Sequence, residues 1–191
     1  DKNCEGWIVG AEEKKMGIKG SSTTTMFFEN CKVPIGNVLG KVGQGASIAF
    51  NTLYAGRWKL GFSSAAGCKT GMMLACKFAK ERKQFSRSIT DFAMIKNKFS
   101  KMVVRTWESD TLNYFTTGSV DLSIEKLDKS DKNYYLKVQK IIEEHAIEAS
   151  ICKVLGSEAL AYCSDEGVQI YGGAGFIEEY PAAGMYRDER I

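Results

Sequence analysis

The sequence predicts a mainly α protein, a bundle of long helices preceded by a short β segment, and three observations carry that expectation. Gly17, Gly20, Gly36, Gly40 and Pro34 punctuate short β-branched or aromatic runs in the first forty residues. After Gly43-Gln44-Gly45 the apolar residues recur at the helical period. No proline follows Pro34 until Pro181, so the intervening chain lacks the residue that breaks helices.

In chain order, Trp7-Ile8-Val9 and Thr23-Thr24-Thr25-Met26-Phe27-Phe28 are the candidate strands. Two strands do not make a stable sheet alone, so this piece is expected to lean on sequence elsewhere. Met72, Ala75, Cys76 and Ala79 fall at i, i+3, i+4 and i+7, and Phe92, Ile95, Phe99, Met102 and Val103 form a second stripe. A short polar turn joins these two helices, with Thr90 and Asp91 as N-cap residues of the second. The charge-rich stretch 119–133 reads as a loop. A third, longer helix then carries Val138, Ile142, Ala149, Cys152 and Ala159 on its apolar stripe, and Gly172-Gly173 closes it.

With 191 residues the chain has enough material for a proper core, which excludes a disulfide-stapled mini-protein. No apolar run approaches the ~20 residues that a membrane-spanning helix needs. A net charge of +3, from 26 basic and 23 acidic residues spread along the chain, argues against a nucleic-acid partner. Six cysteines show no CxxC and no finger-like spacing with His145, the lone histidine, so a zinc site is not expected. They read as reduced thiols, which suits the cytosol or an organelle matrix. The chain opens on Asp1 without a Met or a leader and ends on Tyr186-Arg187-Asp188-Glu189-Arg190-Ile191 without a stop signal, so a fragment is expected.

Several constellations could carry chemistry. Glu81-Arg82-Lys83-Gln84-Phe85 closes a helix, where the macrodipole alone favours cations. The functional alternative gives Arg82 a phosphate or pyrophosphate for its planar fork, with Phe85 against an aromatic ring. Val168-Gln169-Ile170-Tyr171-Gly172-Gly173-Ala174-Gly175-Phe176 follows a helix and lacks the Lys-Ser/Thr of a P-loop. It is either a helix cap with a turn, or a place where small residues let a ligand approach the backbone with Gln169 as amide donor. The small residues of Gly61-Phe62-Ser63-Ser64-Ala65-Ala66-Gly67 are read as close helix packing. Arg57, among apolar neighbours, needs an anionic partner or a route to solvent. His145 is expected to be a hydrogen-bonded structural histidine, and Glu12-Glu13, Glu143-Glu144 and Glu178-Glu179 to be surface charge.

The order of these segments resembles one family. Glu13-Lys14-Lys15-Met16-Gly17-Ile18-Lys19-Gly20-Ser21, Phe27-Phe28-Glu29-Asn30-Cys31-Lys32-Val33-Pro34 and Asn37-Val38-Leu39-Gly40 resemble the end of the β domain of acyl-CoA dehydrogenases. Arg57, the Glu81–Phe85 run, the Gln169–Phe176 run, Glu179-Tyr180-Pro181 and Arg187-Asp188 follow in the family's order and approximate spacing. The Glu-Lys-Lys-Met-Gly-Ile-Lys run looks most like the very-long-chain and mitochondrial assembly-factor branch.

The resemblance implies residues 1–42 as the end of a middle β domain and 43–191 as a truncated carboxy-terminal four-helix bundle. It also implies a dimer or tetramer holding FAD between subunits. Arg82 would reach the FAD pyrophosphate of a neighbouring subunit, with Gln84, Phe85 and Phe92 close by and Gln169, Gly172 and Gly173 lining the adenosine end. Arg57 resembles the arginine near the acyl-CoA nucleotide. The family's reaction is α,β-dehydrogenation of an acyl-CoA thioester by a Glu base that usually follows the Arg-Asp-x-Arg-Ile pattern. Here that pattern is Arg187-Asp188-Glu189-Arg190-Ile191, and Gly56 stands where a minority of members place the base, so no catalytic base is assigned. Ser86 replaces the usual Gly after Phe85.

The expected parent is an enzyme of mitochondrial fatty-acid β-oxidation, in the matrix or on the inner membrane, passing electrons to electron-transfer flavoprotein. The fragment alone is expected to be inactive. Two alternatives stand beside this expectation: a catalytically silent scaffold for respiratory-complex assembly, and an unrelated helical bundle that binds protein partners.

Overall fold

A computed structural model describes residues 4–190. The fold class is mainly α, as predicted. Strands β1 (Trp7–Glu12) and β2 (Thr24–Phe28) form an antiparallel pair, with Trp7 opposite Phe28 and a register irregularity between Val9 and Glu12. Helix α1 (Gly45–Glu81) runs 37 residues and leads through the two-residue strands β3 (Lys83–Gln84) and β4 (Arg87–Ser88) into α2 (Ala93–Glu125). Helices α3 (Tyr134–Glu144), α4 (Ala146–Tyr171) and α5 (Pro181–Asp188) complete the order.

Helices α1, α2 and α4 pack against one another, and α3 closes against α1 and α2. The α1–α4 contact is the most extensive and is made of small residues. A Cβ on Gly156 would lie 3.1 Å from Gly61 Cα, so the two backbones touch where these glycines cross. The reading of Gly61–Gly67 as packing residues holds at Gly61, Ser64 and Ala65, all buried. Cys68, Ala75, Ala79, Met102, Ala159, Cys163, Ile170 and Tyr171 continue the core along the bundle.

Helix α2 departs from the predicted stripe. Met102 is fully buried, but Val103 is 55% exposed. The inward line runs instead through Met102, Thr106, Ser109, Asn113, Thr116 and Val120, spaced three and four apart. Its hydroxyls find partners in the bundle: Thr106 Oγ1 donates to the Met102 carbonyl at 2.8 Å, Ser109 Oγ accepts from Asn113 Nδ2 at 3.4 Å and Thr116 Oγ1 accepts from the Cys152 thiol of α4 at 3.5 Å. Asn113 Nδ2 donates to the Ser109 carbonyl at 2.8 Å, and its Oδ1, buried and unpartnered, occupies the space that Gly61 leaves open.

Three boundaries differ from expectation. Residues 119–125 are the last turns of α2, since the inward Val120 continues its buried line, and only 126–133 form the loop. The N-cap of α2 is Phe92, because Thr90 and Asp91 are wound into a 3-10 turn (Ile89–Asp91) in which the Thr90 amide donates to Ser88 Oγ. The long third helix is two helices, α3 and α4, broken at His145. There the backbone leaves the helical region (φ −101, ψ 20), and the imidazole Nδ1 donates to the Ile141 carbonyl at 2.8 Å, taking a carbonyl from the last turn of α3. Ser119 Oγ meets Nε2 at 3.3 Å, so His145 is the hydrogen-bonded structural residue the sequence implied.

The strand-bearing segment is tied to the far end of the chain. Ile18 N–H donates to Asp188 Oδ1 at 2.7 Å, and a Cβ on Gly17 would lie 2.5 Å from the Arg187 carbonyl oxygen. The Met16-Gly17-Ile18 turn therefore sits directly on the end of α5.

The glycine crossing yields a paired prediction. Gly156→Val is expected to destabilise the protein by about 1–3 kcal/mol in urea unfolding, because the added carbons meet backbone that cannot yield. Gly118→Ala, in α2 where an added Cβ meets nothing within 4 Å, is expected to be neutral or to stabilise by up to about 1 kcal/mol. Equal responses at the two positions would contradict the tight crossing.

Candidate functional site

The end of α1 builds a presenting surface. Phe78 stacks on Tyr171 with centroids 4.2 Å apart, Tyr180 edges against both rings, and the Tyr171 hydroxyl donates to the Leu74 carbonyl at 3.3 Å. This aromatic clasp holds the carboxy-terminal ends of α1 and α4 side by side. One turn beyond Phe78, Arg82 leaves the helix with extended backbone, and its carbonyl accepts from Ile89 N–H at 2.9 Å. Between them β3 and β4 pair Lys83 with Ser88 and Gln84 with Arg87.

The tip of this hairpin has two residues, and both have positive φ, Phe85 at 51° and Ser86 at 66°. That is the signature of a type I′ turn, whose twist matches paired strands and which glycine and asparagine favour. The usual Gly at position 86 thus has a backbone reason, and Phe85 is the more strained of the pair as a bulky side chain in the left-handed region. Phe85 is 86% exposed, with its ring edge 6.2 Å from Phe92 between centroids. Arg87 lays its guanidinium 4.0 Å over the other aromatic, Phe92. Arg82 and Gln84 are exposed, and Arg82 takes part in no ion pair among the described residues.

At the neighbouring end of α4, Gln169 is exposed and Gly172 closes the helix at φ 60, its N–H donating to the Gln169 and Val168 carbonyls. A Cβ on Gly172 or Gly173 would meet nothing within 4 Å, which leaves an open backbone ledge beside the hairpin. The glycine that the fold itself demands is Gly175, where a Cβ would lie 2.5 Å from the Val168 carbonyl oxygen. Gln84 and Phe85 therefore lie on the hairpin, with Arg82 at its base and Phe92 just after it at the start of α2, while Gln169, Gly172 and Gly173 stand at the end of α4 that the Phe78–Tyr171 clasp holds against the end of α1.

Arg57 stands apart. It lies 25 positions before Arg82 on the same helix, or about 37 Å along its axis. Its Nη1 donates to Ser150 Oγ at 2.8 Å and its guanidinium sits 5.3 Å from the Tyr54 ring. No carboxylate pairs with it among the described residues; of the anionic partner or route to solvent, it has the second, being half-buried, with a hydroxyl and an aromatic face beside it. Tyr54, Ile147, Ile151, Val154 and Leu155 extend from it as the apolar wall of a groove of about 650 Å³. A fixed guanidinium at the mouth of an apolar groove is suited to an acyl compound bearing an anionic group.

Sequence reasoning missed Arg87, Tyr54, Ser150 and the Asp188 contact. Only Arg87 left a usable signal, since a two-residue hairpin tip at Phe85-Ser86 pairs Gln84 with Arg87. The others depend on which helices meet. The carboxylate pairs behave as surface charge: Glu143 accepts from Asn51 at 2.6 Å and Glu178 pairs with Arg187 at 3.3 Å. No helix of the described residues is long and apolar enough to cross a membrane.

With fold and site in view, comparison with known proteins defines the class. The chain belongs to the acyl-CoA dehydrogenase family, a family of oxidoreductases, whose C-terminal domain matches residues 43–191. Over all 191 residues it is 41% identical to a probable acyl-CoA dehydrogenase of Bacillus subtilis and 34% identical to the rat mitochondrial very long-chain specific acyl-CoA dehydrogenase. It covers 32% and 26% of those proteins, so the chain spans about a third or less of their length. An acyl-CoA dehydrogenase of Bacillus anthracis, solved in complex with FAD, superposes with a TM-score of 0.96 at 41% identity, over the whole of this chain and 32% of that one. The butyryl-CoA dehydrogenase of Megasphaera elsdenii gives 0.83 at 29% identity, over the whole chain and 45% of its own.

Glu189 offers a pH test of the end of the bundle. It is nearly buried, its Oε2 has no partner, and burial first, then Glu158 and Asp165, raise its pKa against the opposing pull of Arg190. A carboxyl raised on folding opposes stability once pH climbs above its unfolded value, because the unfolded chain then ionises more readily. Glu189→Gln is expected to stabilise the protein at neutral pH, with the gain disappearing as pH falls below the ordinary carboxylate range. A gain independent of pH in thermal unfolding from acid to neutral would overturn the assignment.

Proposed function

We propose that this chain is the helical part of an FAD-dependent acyl-CoA dehydrogenase that introduces an α,β double bond into fatty acyl-CoA thioesters during β-oxidation. The observation that carries the reading is the exposed Arg82 hairpin beside the Gln169–Gly173 ledge, on a chain that superposes so closely on a relative complexed with FAD. The residues fit such a group: an unpaired guanidinium for a pyrophosphate, an uncovered Phe85 ring for a flat partner, and a ledge without Cβ atoms for an adenosine. When bound, FAD supplies the hydride acceptor.

In this reading Arg82 binds the pyrophosphate, with Gln84, Phe85 and Phe92 around it, and Gln169, Gly172 and Gly173 flank the adenosine. Arg57 orients the acyl-CoA nucleotide while Tyr54 and the α4 face exclude water from the groove. About 37 Å of helix separates Arg57 from Arg82, so one chain serves two sites: Arg82 contributes to the cofactor of a neighbouring subunit, in a dimer or tetramer. Residues 1–42 are the end of a β domain and 43–191 the helical domain. The α proton is removed by a carboxylate outside these residues, and electrons leave to electron-transfer flavoprotein. A mitochondrial matrix or inner-membrane location, and a place in the very-long-chain branch, rest on the relatives at 34% identity; the relative at 41% is bacterial.

The test is the visible spectrum of the full-length parent titrated anaerobically with palmitoyl-CoA. Bleaching of a flavin band near ~450 nm is expected, since the cofactor carries the redox step. Bound flavin that no acyl-CoA reduces would overturn the enzyme reading, and absence of flavin would overturn the site. Arg82→Ala is expected to weaken FAD retention roughly 10- to 100-fold, the range for losing a charge-assisted hydrogen bond. Unchanged retention by equilibrium dialysis would remove Arg82 from the site.

A further inference from the structure

Two thiols meet where the dehydrogenase reading makes no use of them. Cys4 and Cys31 are 27 positions apart, yet their Sγ atoms lie 3.1 Å from each other. Backbone geometry creates the approach. Trp7 N–H donates to the Cys4 carbonyl at 3.2 Å, folding 4–7 into a turn in which Gly6 takes φ +82. A Cβ on Gly6 would fall 2.1 Å from the Glu29 carbonyl oxygen and 3.1 Å from Cys31 Cα, so this turn rests directly on the backbone of 29–31. Glu29 N–H donates to the Gly6 carbonyl at 2.8 Å, and Asn30 at φ +50 bends the other strand end inward. Cys4 Sγ also donates to the Lys32 carbonyl at 3.1 Å, which leaves Cys31 as the thiol donating to the Cys4 sulfur. Both cysteines are half-buried, whereas Cys68, Cys152 and Cys163 are sealed in the bundle.

We propose that Cys4 and Cys31 are a reversible oxidation site, a thiol pair that a peroxide converts into a disulfide across the β1–β2 hairpin. The Cys4 thiolate attacks one peroxide oxygen and the O–O bond breaks. Cys4 becomes a sulfenic acid, and the departing hydroxide takes a proton to become water. The Cys31 sulfur, giving up its proton, then attacks the Cys4 sulfur and expels the sulfenic oxygen as a second water. Two thiols lose two electrons, and the peroxide is reduced to two waters. The hydrogen bond to Cys4 raises the pKa of Cys31, in keeping with its acting second. A disulfide is about 2.05 Å long, so the sulfurs need to close by about 1 Å, within the reach of small side-chain rotations. The disulfide would tie the entry of β1 to the exit of β2, and a small dithiol would release it.

The test treats the folded protein with stoichiometric hydrogen peroxide, alkylates the remaining thiols under denaturing conditions and maps the peptides. The expected product is a 4–31 cross-linked peptide reversed by dithiothreitol, with Cys76, the remaining half-buried cysteine, still alkylated. Cross-linking should be at least about tenfold faster in the folded protein than in urea, because the fold holds the sulfurs together. In Cys31→Ser, dimedone should trap the sulfenic acid at Cys4. Cys76 reacting first, an equal rate in urea, or Cys4 and Cys31 both recovered alkylated after peroxide would overturn the proposal.

Discussion

The contact on which the rest depends is the crossing of α1 and α4 at Gly61 and Gly156. With a Cβ on Gly156 excluded at 3.1 Å from Gly61, α1 and α4 approach to backbone contact, and van der Waals packing there requires no large side chains. This agrees with the small residues buried where these helices meet, Gly61, Ser64 and Ala65 on α1 and Ala149, Cys152, Gly156 and Ala159 on α4. The same crossing sets the geometry at the far end of the bundle. Two helices held this closely deliver Phe78 onto Tyr171, and the clasp in turn sets the Arg82 hairpin next to the Gly172–Gly173 ledge.

The features at that end are each mildly unfavourable by themselves. Phe85 is bulky, left-handed and uncovered, Arg82 is uncompensated, and the ledge exposes backbone. Elsewhere several buried groups are satisfied locally: Thr106 on α2 donates to the carbonyl a turn before it, and His145 takes up a carbonyl from the last turn of α3. Several unfavourable features gathered on one exposed patch are the pattern expected of a binding surface.

Much of the architecture was legible because helical periodicity and the absence of proline survive without tertiary context. The strands, the break at Gly172 and the packing role of Gly61–Gly67 came from the same local signals. Where the reading failed, the determining contacts were non-local or polar. Thr106, Ser109, Asn113 and Thr116 hide a core stripe because polar side chains whose partners lie inside the bundle look, in sequence, like a solvent face. The continuous third helix concealed a break because His145 keeps the apolar period intact while diverting a carbonyl. At the candidate site, Arg82 and Gly172 stand out through motif order, whereas the Ser150 partner of Arg57 depends on the meeting of α1 with α4.

The bond between Ile18 and Asp188 has a consequence for how the protein is made. Its partners are 170 positions apart, so at the ~5–20 residues per second of synthesis the Met16-Gly17-Ile18 turn emerges roughly ten to thirty seconds before the carboxylate that receives it. During that interval the Met16-Gly17-Ile18 turn is unanchored, and the strand pair beside it carries Val9, Met26, Phe27 and Phe28, exposed apolar side chains of the kind that template association with other chains. The Lys14-Lys15 pair and Lys19, beside that hairpin, are the kind of charge that delays such association while the chain waits for its own end.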